Sequence, residues 1–381
     1  ALARLAVDAK IPEPIRAEAL AMLGQWEKPS GRDRVTGLWR PLAARNPMIA
    51  AQALEPKLSD LLRAGSVTIK VATIRAAAQL RISSATDAAF EIIRESKEPA
   101  GVRVAALQSL DTAQDARLAE AVKVALHSGD EALRKEATKI QAQLQPGDAI
   151  AQLRSMLETA SLGEKQNAFA TLATLTNSAS ADELLLQWLD RLLARQVPPE
   201  LHVDLLDAAA KRTTPAFTDR IRKFESSRQA DDDLRSWREC LSGGDVAEGR
   251  KIFVERAEVY CIRCHKAGGE GGEVGPDLAG VATRRNREYL LESIVYPNKH
   301  LAEGYESVIV TMKNGTTYAG IVKSETAAEL EINSPEDGLL KLNKANIKSR
   351  ERGLSGMPEE LRQILSKRDL RDLVEFLSTL K

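Results

Sequence analysis

Two cysteines three positions apart, followed at once by a histidine, are the residues of this chain best placed to do chemistry: Cys261-Ile-Arg-Cys264-His265. Thiols at that spacing can each add to one vinyl group of a porphyrin, and the adjacent imidazole is then held under the iron. The run therefore reads as a c-type haem attachment, with single-electron chemistry as its consequence. So short a pattern also recurs by chance, and C-x-x-C pairs serve zinc sites and thiol redox motifs. A zinc site would need a fourth ligand, and no cysteine follows Cys264. A thioredoxin-like motif would need βαβ surroundings, which the flanks lack.

The flanks decide between these readings. Upstream, DVAEGRKIFVERAEVYC reads as a helix entering the motif, with Gly249 and Phe253 four apart on one face. Downstream, a glycine-rich loop leads to Gly275-Pro276-Asp277-Leu278. At the end, RDLRDLVEFLSTL places Leu370, Leu373, Val374, Leu377 and Leu380 on one stripe, with Phe376 beside it. This set resembles the class I cytochrome c fold. In that family the first and last helices cross through a small residue and aromatics, which the resemblance assigns to Gly249, Phe253 and Phe376. It also implies that the carbonyl of Pro276 engages His265, a contact that fixes the ring and tunes its basicity. It further implies a sixth ligand just before the last helix, where Met357 sits in GLSGMPEELRQIL. His300, in YPNKHLAEGY, is the alternative distal ligand, and an open or water-bound iron is another. Met312, in a strand-like run, reads as a packing residue. His/Met ligation would raise the potential and saturate the iron, favouring electron transfer over oxygen chemistry. Arg284, Arg285 and Arg287 read as a solvated charge run or as partners for a haem propionate.

The elements that must hold this motif are mainly helical. Aromatics make up 4% of the 381 residues, a composition suited to helices packed through small side chains. Lys+Arg and Asp+Glu balance at 54 each, so the totals carry no nucleic-acid footprint. No apolar run approaches the roughly 20 residues that span a bilayer, and no signal segment opens the chain. Residue 1 instead falls in an amphipathic helix (Leu2, Leu5, Ala6), so the chain reads as starting mid-domain. Three cysteines are no disulfide framework, and Cys240 reads as a half-buried helical thiol.

Residues 1–240 repeat a pattern of an apolar residue, an arginine and then small residues: IRAEAL at Ile15, TIRAAAQL at Thr73, VRVAALQSL at Val102 and LRKEATKI at Leu133. Arg16, Arg75, Arg103 and Arg134 fall in steps of about 30 residues or twice that. The pattern resembles HEAT-like repeats, which stack paired helices into a solenoid and make a scaffold or docking surface. His127 and His202 have no partner at ligand spacing, and Trp26, Trp39 and Trp188 read as helix-packing anchors. Gly243 and Gly244 end the array and Asp245 is a good N-cap, which places the domain boundary between 1–240 and 241–381.

A strand-rich stretch at about 305–350 interrupts the second domain, with Asn314-Gly315 and Asp337-Gly338 as hairpin turns between three to five short strands. It reads as a lid over the haem edge, a partner surface or a stabilising decoration. The expected fold is thus mainly α: a HEAT-like α-solenoid, then a class I cytochrome c domain carrying an inserted β-meander or small barrel. From about residue 240 the text, including GRKIF, CIRCHKAGGEGGEVGPDLAGV and YLLESIVYPN, resembles the haem-binding CxxCH proteins of planctomycete- and verrucomicrobia-type bacteria. The resemblance implies one covalent haem c, an exported or periplasmic location and redox partner proteins. Among these is a β-propeller sugar or alcohol dehydrogenase, which in such proteins often shares the chain. No constellation for independent catalysis is visible. The expected function is electron transfer; the alternatives are a peroxidase-like or gas-binding haem protein with an open or displaceable distal ligand, and a zinc-bearing interaction protein.

Overall fold

In the computed structural model, which describes residues 1–33, 36–334 and 337–381, helices dominate the chain as far as Val295. Two units separate, Ala1–Asp182 and Glu183–Lys381. In the first unit the helices are α1 (Leu2–Val7), α2 (Glu13–Gly24), α3 (Pro47–Leu54), α4 (Leu58–Ala64), α5 (Val67–Gln79) and α6 (Ser83–Arg94). They continue as α7 (Ala100–Ala113), α8 (Leu118–Leu126), α9 (Glu131–Leu144), α10 (Pro146–Thr159) and α11 (Leu162–Thr174), with α12 (Ala179–Leu193) running on into the second unit.

Helix α5 packs on α2 and α7, α7 on α9 and α9 on α11, while α6 packs on α8 in a second row. Ala77, Ala106, Ala137 and Ala168, one on each of α5, α7, α9 and α11, have no exposed surface. Such small side chains let neighbouring axes approach closely. Side-chain bonds recur thirty residues apart: Arg117 to Asp87 at 2.9 Å, Arg134 to Glu164 at 2.6 Å and Ser161 to Glu131 at 2.9 Å. The arginine register has a structural role at three of its four positions: besides its pair with Glu164, Arg134 donates to the Ser128 carbonyl at 2.8 Å. Arg16 donates to the Ala6 carbonyl at 2.9 Å and buried Arg103 donates twice to the Ile93 carbonyl, each covering the open end of the preceding helix. Arg75 is exposed instead.

The almost entirely helical pattern of residues 1–240, expected to break at short polar or Pro/Gly stretches, is interrupted between Gln25 and Asn46, where an isolated bridge joins Arg32 to Trp39. Trp39 lies against Gly31 and is 71% exposed, so it is no helix-packing anchor; Trp26 and Trp188 do pack into cores.

The second unit continues with α13 (His202–Ala209), α14 (Pro215–Ser226), α15 (Val246–Glu255), α16 (Val281–Arg284), α17 (Arg287–Val295), α18 (Leu361–Ile364) and α19 (Lys367–Leu377). Asp245 caps α15 by accepting from the amides of Ala247 and Glu248. Helix α15 crosses α19 at Gly249: a Cβ there would lie 2.0 Å from the Asp372 carbonyl oxygen and 2.8 Å from Phe376 Cβ. Phe253 and Phe376 close the crossing with ring centroids 5.5 Å apart. Around it Leu291, Val295, Leu370, Leu373 and Val374 form the core, with Leu380 packed on it from beyond the end of α19.

On the polar side of α19, Arg371 and Asp372 are buried as well. Arg371 Nη1 lies 2.5 Å from Asp204 Oδ2 on α13, Lys367 pairs with Glu239 at 2.6 Å, and Asp372 accepts from the Asp245 amide at 3.0 Å. These contacts knit residues 200–245 to the last helix. Cys240 sits among them in a 3-10 turn, fully buried, where the sequence suggested a half-buried helical thiol.

Between α17 and α18 lies a five-stranded antiparallel sheet: β3 (Ser307–Met312), β4 (Thr317–Glu325), β5 (Glu329–Ser334), β6 (Gly338–Asn343) and β7 (Ile347–Arg352), in the order β6-β5-β4-β3-β7. Four strands form a meander and the fifth returns to pair with the first. A small hairpin, β1 (Lys266–Ala267) with β2 (Glu270–Gly271), precedes it. Alternation puts Val308, Val310, Leu330, Ile332 and Leu342 on one buried face, with Met312 packed beside them. Gly315 supplies the positive φ of the first turn; the turn before Gly338 lies partly outside the described residues.

Candidate functional site

Helix α15 does not run into the cysteine motif as its sequence suggests; it stops at Glu255. The Arg256 carbonyl accepts from the amides of Val259 and Tyr260, and Tyr260 turns left-handed at φ 33°. A single 3-10 turn, Cys261–Arg263, follows, closed by the amides of Cys264 and His265 on the Cys261 carbonyl at 3.1 and 3.0 Å. Three residues per turn bring positions three apart onto one side, so Cys261 and Cys264 project together. Both are free thiols, Cys264 exposed and Cys261 half-buried, where burial pushes its pKa up to about 11.

The glycine-rich loop folds back over this turn. Gly272 donates to the Ile262 carbonyl at 2.8 Å, Gly275 to Cys264 at 2.7 Å and Leu278 to Lys266 at 2.9 Å. A Cβ on Gly272 would stand 1.8 Å from the Arg263 carbonyl oxygen, and one on Gly275 would stand 2.7 Å from His265 Cε1. Only a bare backbone fits against the imidazole. Pro276 then sets its carbonyl oxygen 2.9 Å from His265 Nδ1. A carbonyl only accepts, so Nδ1 carries the proton and Nε2 is left as the basic nitrogen.

Met357 is half-buried against the core cluster on which Cys261, Ile262, Leu278 and Tyr296 also pack. The structure thus gathers the cysteine turn and Met357 around one core. His300 is 60% exposed, 3.7 Å from Glu292, in an open cleft it shares with Asp233, Glu288 and Lys299. The three arginines part company. Arg287 forms a two-pronged pair with Glu375 at 2.7 and 2.8 Å and donates to the Leu241 carbonyl, so it braces α17 against α19. Arg285 stacks on Tyr289 at 4.4 Å, and Arg284 is exposed. Of the histidines outside the motif, His127 bonds the Lys123 carbonyl in its own helix. His202 bonds Val197 and meets Phe224 edge-on, and burial lowers its pKa.

Two free thiols on one side of a turn, an imidazole with Nδ1 engaged and Nε2 available, and a thioether on the same core form a donor set that fits a covalently held haem. Among the described residues, no group of three or more His, Cys, Asp or Glu is arranged to hold a metal ion unaided. Comparison with known families matches residues 246–330 to the model described as cytochrome c. That stretch is a cytochrome c domain. No curated protein matches the chain. The cytochrome c match opens at the first residue of α15 and contains Cys261, Cys264, His265 and Pro276; Met357 and α19 lie beyond it. Among the described residues no helix is long and apolar enough to cross a membrane.

Sequence reasoning missed two parts of this site. The packing of Gly275 on the imidazole was foreshadowed only by the glycine-rich composition of the loop. The bonds of Asn298 to the segment around Met357 had no local signal beyond a proline-containing turn.

Proposed function

We propose that the second domain, taken as residues 241–381, carries one haem c tethered by Cys261 and Cys264, with His265 and Met357 as its axial ligands. It relays single electrons between a dehydrogenase partner and a downstream acceptor. The observation that carries this reading is the 2.9 Å contact of His265 Nδ1 with the Pro276 carbonyl, next to two free thiols on one turn.

The haem supplies reversible one-electron chemistry when bound. The chain sets its terms. Pro276 and Gly275 hold the His265 ring in one tautomer and orientation, which raises its basicity as a ligand. Phe253, Leu291 and Phe376 belong to the apolar core on which Cys261, Ile262 and Met357 also pack, and that core would wall the group on one side. A methionine thioether in the sixth position would raise the potential and leave no site for oxygen. Residues 1–240, with their thirty-residue period, fit a HEAT-like scaffold or docking surface. The resemblance to planctomycete- and verrucomicrobia-type CxxCH proteins favours an exported location and a β-propeller dehydrogenase as donor.

Substituting Met357→Ala tests the ligand assignment. The long-wavelength band of methionine-ligated ferric haem should vanish, and the reduced protein should bind CO. The potential should fall by a sizeable part of the roughly 0.8 V that axial ligands command. An unchanged spectrum and potential would remove Met357 from the site and favour a haem enzyme or sensor. Haem released by acid extraction without cleavage would sink the covalent attachment.

A further inference from the structure

The geometry points to Asn298 as the positioning residue that holds the Met357 loop in place, with the β-sheet as the arm that delivers that loop. This rests on Met357 as the sixth ligand. Pro297 ends the run from α17, and Asn298 follows it, half-buried, in the turn. Its side chain meets the Met357 loop at two points: Oδ1 accepts from the Ser355 amide at 2.6 Å, and Nδ2 donates to Glu359 Oε1 at 2.7 Å. Its backbone carbonyl accepts from Arg352, the last residue of β7, at 2.9 Å. Ser355 passes the constraint on, its Oγ accepting from the Met357 amide at 3.1 Å.

The amide of Asn298 is matched at both ends. Flipping it would set oxygen against the Glu359 carboxylate and NH2 against the Ser355 N–H, so one orientation is fixed. The sheet holds the other side of the loop. Gly353 donates to the Ser307 carbonyl at 2.8 Å and Ser307 Oγ donates to the Leu354 carbonyl, closing the base of β3 against the exit of β7. Arg352 on that exit and Ser355 on the loop both end on Asn298. The inserted sheet is therefore placed to set where Met357 sits, and Asn298 ties that placement to α17.

Asn298→Ala removes both side-chain contacts and keeps the carbonyl. In the holoprotein it should weaken the methionine band and raise the affinity of the ferric haem for added imidazole about tenfold, the factor expected when one or two hydrogen bonds holding a loop are lost. Hydrogen exchange at the Ser355 amide should quicken. Asn298→Asp should be as harmful, because it sets two carboxylates face to face; adding Glu359→Gln restores a donor opposite Asp and should recover the wild-type imidazole affinity. Wild-type band and imidazole affinity in Asn298→Ala, in a protein where Met357→Ala changes both, would overturn the role of Asn298 and leave the ligand standing. Failure of the double variant to recover while still folded would overturn it too. No effect of Met357→Ala would remove the ligand itself, and the role of Asn298 with it.

Discussion

The crossing of α15 over α19 gives the sharpest test of the haem-domain packing. Gly249→Ala adds one methyl group at a point 2.0 Å from the Asp372 carbonyl oxygen, whereas ordinary contact begins near 3.4 Å. The nearest obstacles are the backbone of Asp372 and the Cβ of Phe376, so no flexible side chain can swing aside and the helices must part. Overpacking of this kind costs about 1–3 kcal/mol. Parting also loosens the Phe253–Phe376 pair, worth about 1 kcal/mol, and stretches the bond from the Asp245 amide to Asp372, worth about as much. Alanine returns about 1 kcal/mol of helix propensity. The net loss is about 3 kcal/mol. Urea unfolding followed at the haem Soret band reports this domain, and its midpoint should fall by about 1–2 M. Gly101→Ala in α7, where a new Cβ meets nothing within 4 Å, is the control; followed by far-UV circular dichroism, which reports the helices of its own unit, it should be neutral or stabilising. If Gly249→Ala also proved neutral or stabilising, the two helices would not touch at that point.

Three further outcomes follow from the contacts of this unit. Asp204→Ala strands buried Arg371, only 3% exposed, and should cost about 3–5 kcal/mol in the same urea assay; Asp204→Leu with Arg371→Met should recover most of it. The Arg287 guanidinium holds the Glu375 carboxyl below its ordinary 4.5. A carboxyl lowered in the folded state adds stability that is complete above the unfolded pKa and is lost as pH falls through the folded one. Acid unfolding below about pH 4.5 should therefore be shallower in Glu375→Gln, at a cost near neutrality of about 1 kcal/mol; identical acid profiles would refute the pairing. Gly275→Ala must push the His265 ring off the Pro276 carbonyl. Weakening that bond lowers the basicity of the imidazole and should raise the haem midpoint potential, whereas an unmoved potential in redox titration would sink the positioning role of Gly275.

What was legible in the sequence was what one element shows of itself. Gly249 with Phe253 one turn on, and the apolar stripe of α19, mark a helix crossing because side chains three and four apart share a face. The contact of Pro276 with His265 came only through resemblance, since nothing in the spacing of two residues eleven apart dictates it. The end of α15 at Glu255 was hidden: VERAEVY carries good helix formers and no breaker. Its stop is imposed by the turn that must follow, where Tyr260 goes left-handed and Gly272 closes on the motif. Burial on the polar side of α19 was hidden for a related reason. Opposite an apolar stripe, Arg371 and Asp372 look like a solvated face, and only distant partners make it a buried one: Asp204, 167 positions before Arg371, and the amide of Asp245 for Asp372.

Distance along the chain therefore separates the two halves of the proposed haem site. Cys261, Cys264 and His265 lie on one turn and were visible as one motif. The loop carrying Met357 is bonded by Asn298, whose partners stand 54 to 61 positions away, beyond an entire sheet. The cytochrome c match has the same limit, since it ends at residue 330, before Met357 is reached. In the proposed site a local motif would fix the His265 side whatever lies between, whereas the Met357 loop would depend on how β3 and β7 close at their base. Lengthening the hairpin tip at Asn314-Gly315 should thus leave the haem spectrum alone, while any change at Ser307 or Gly353 should reach Met357.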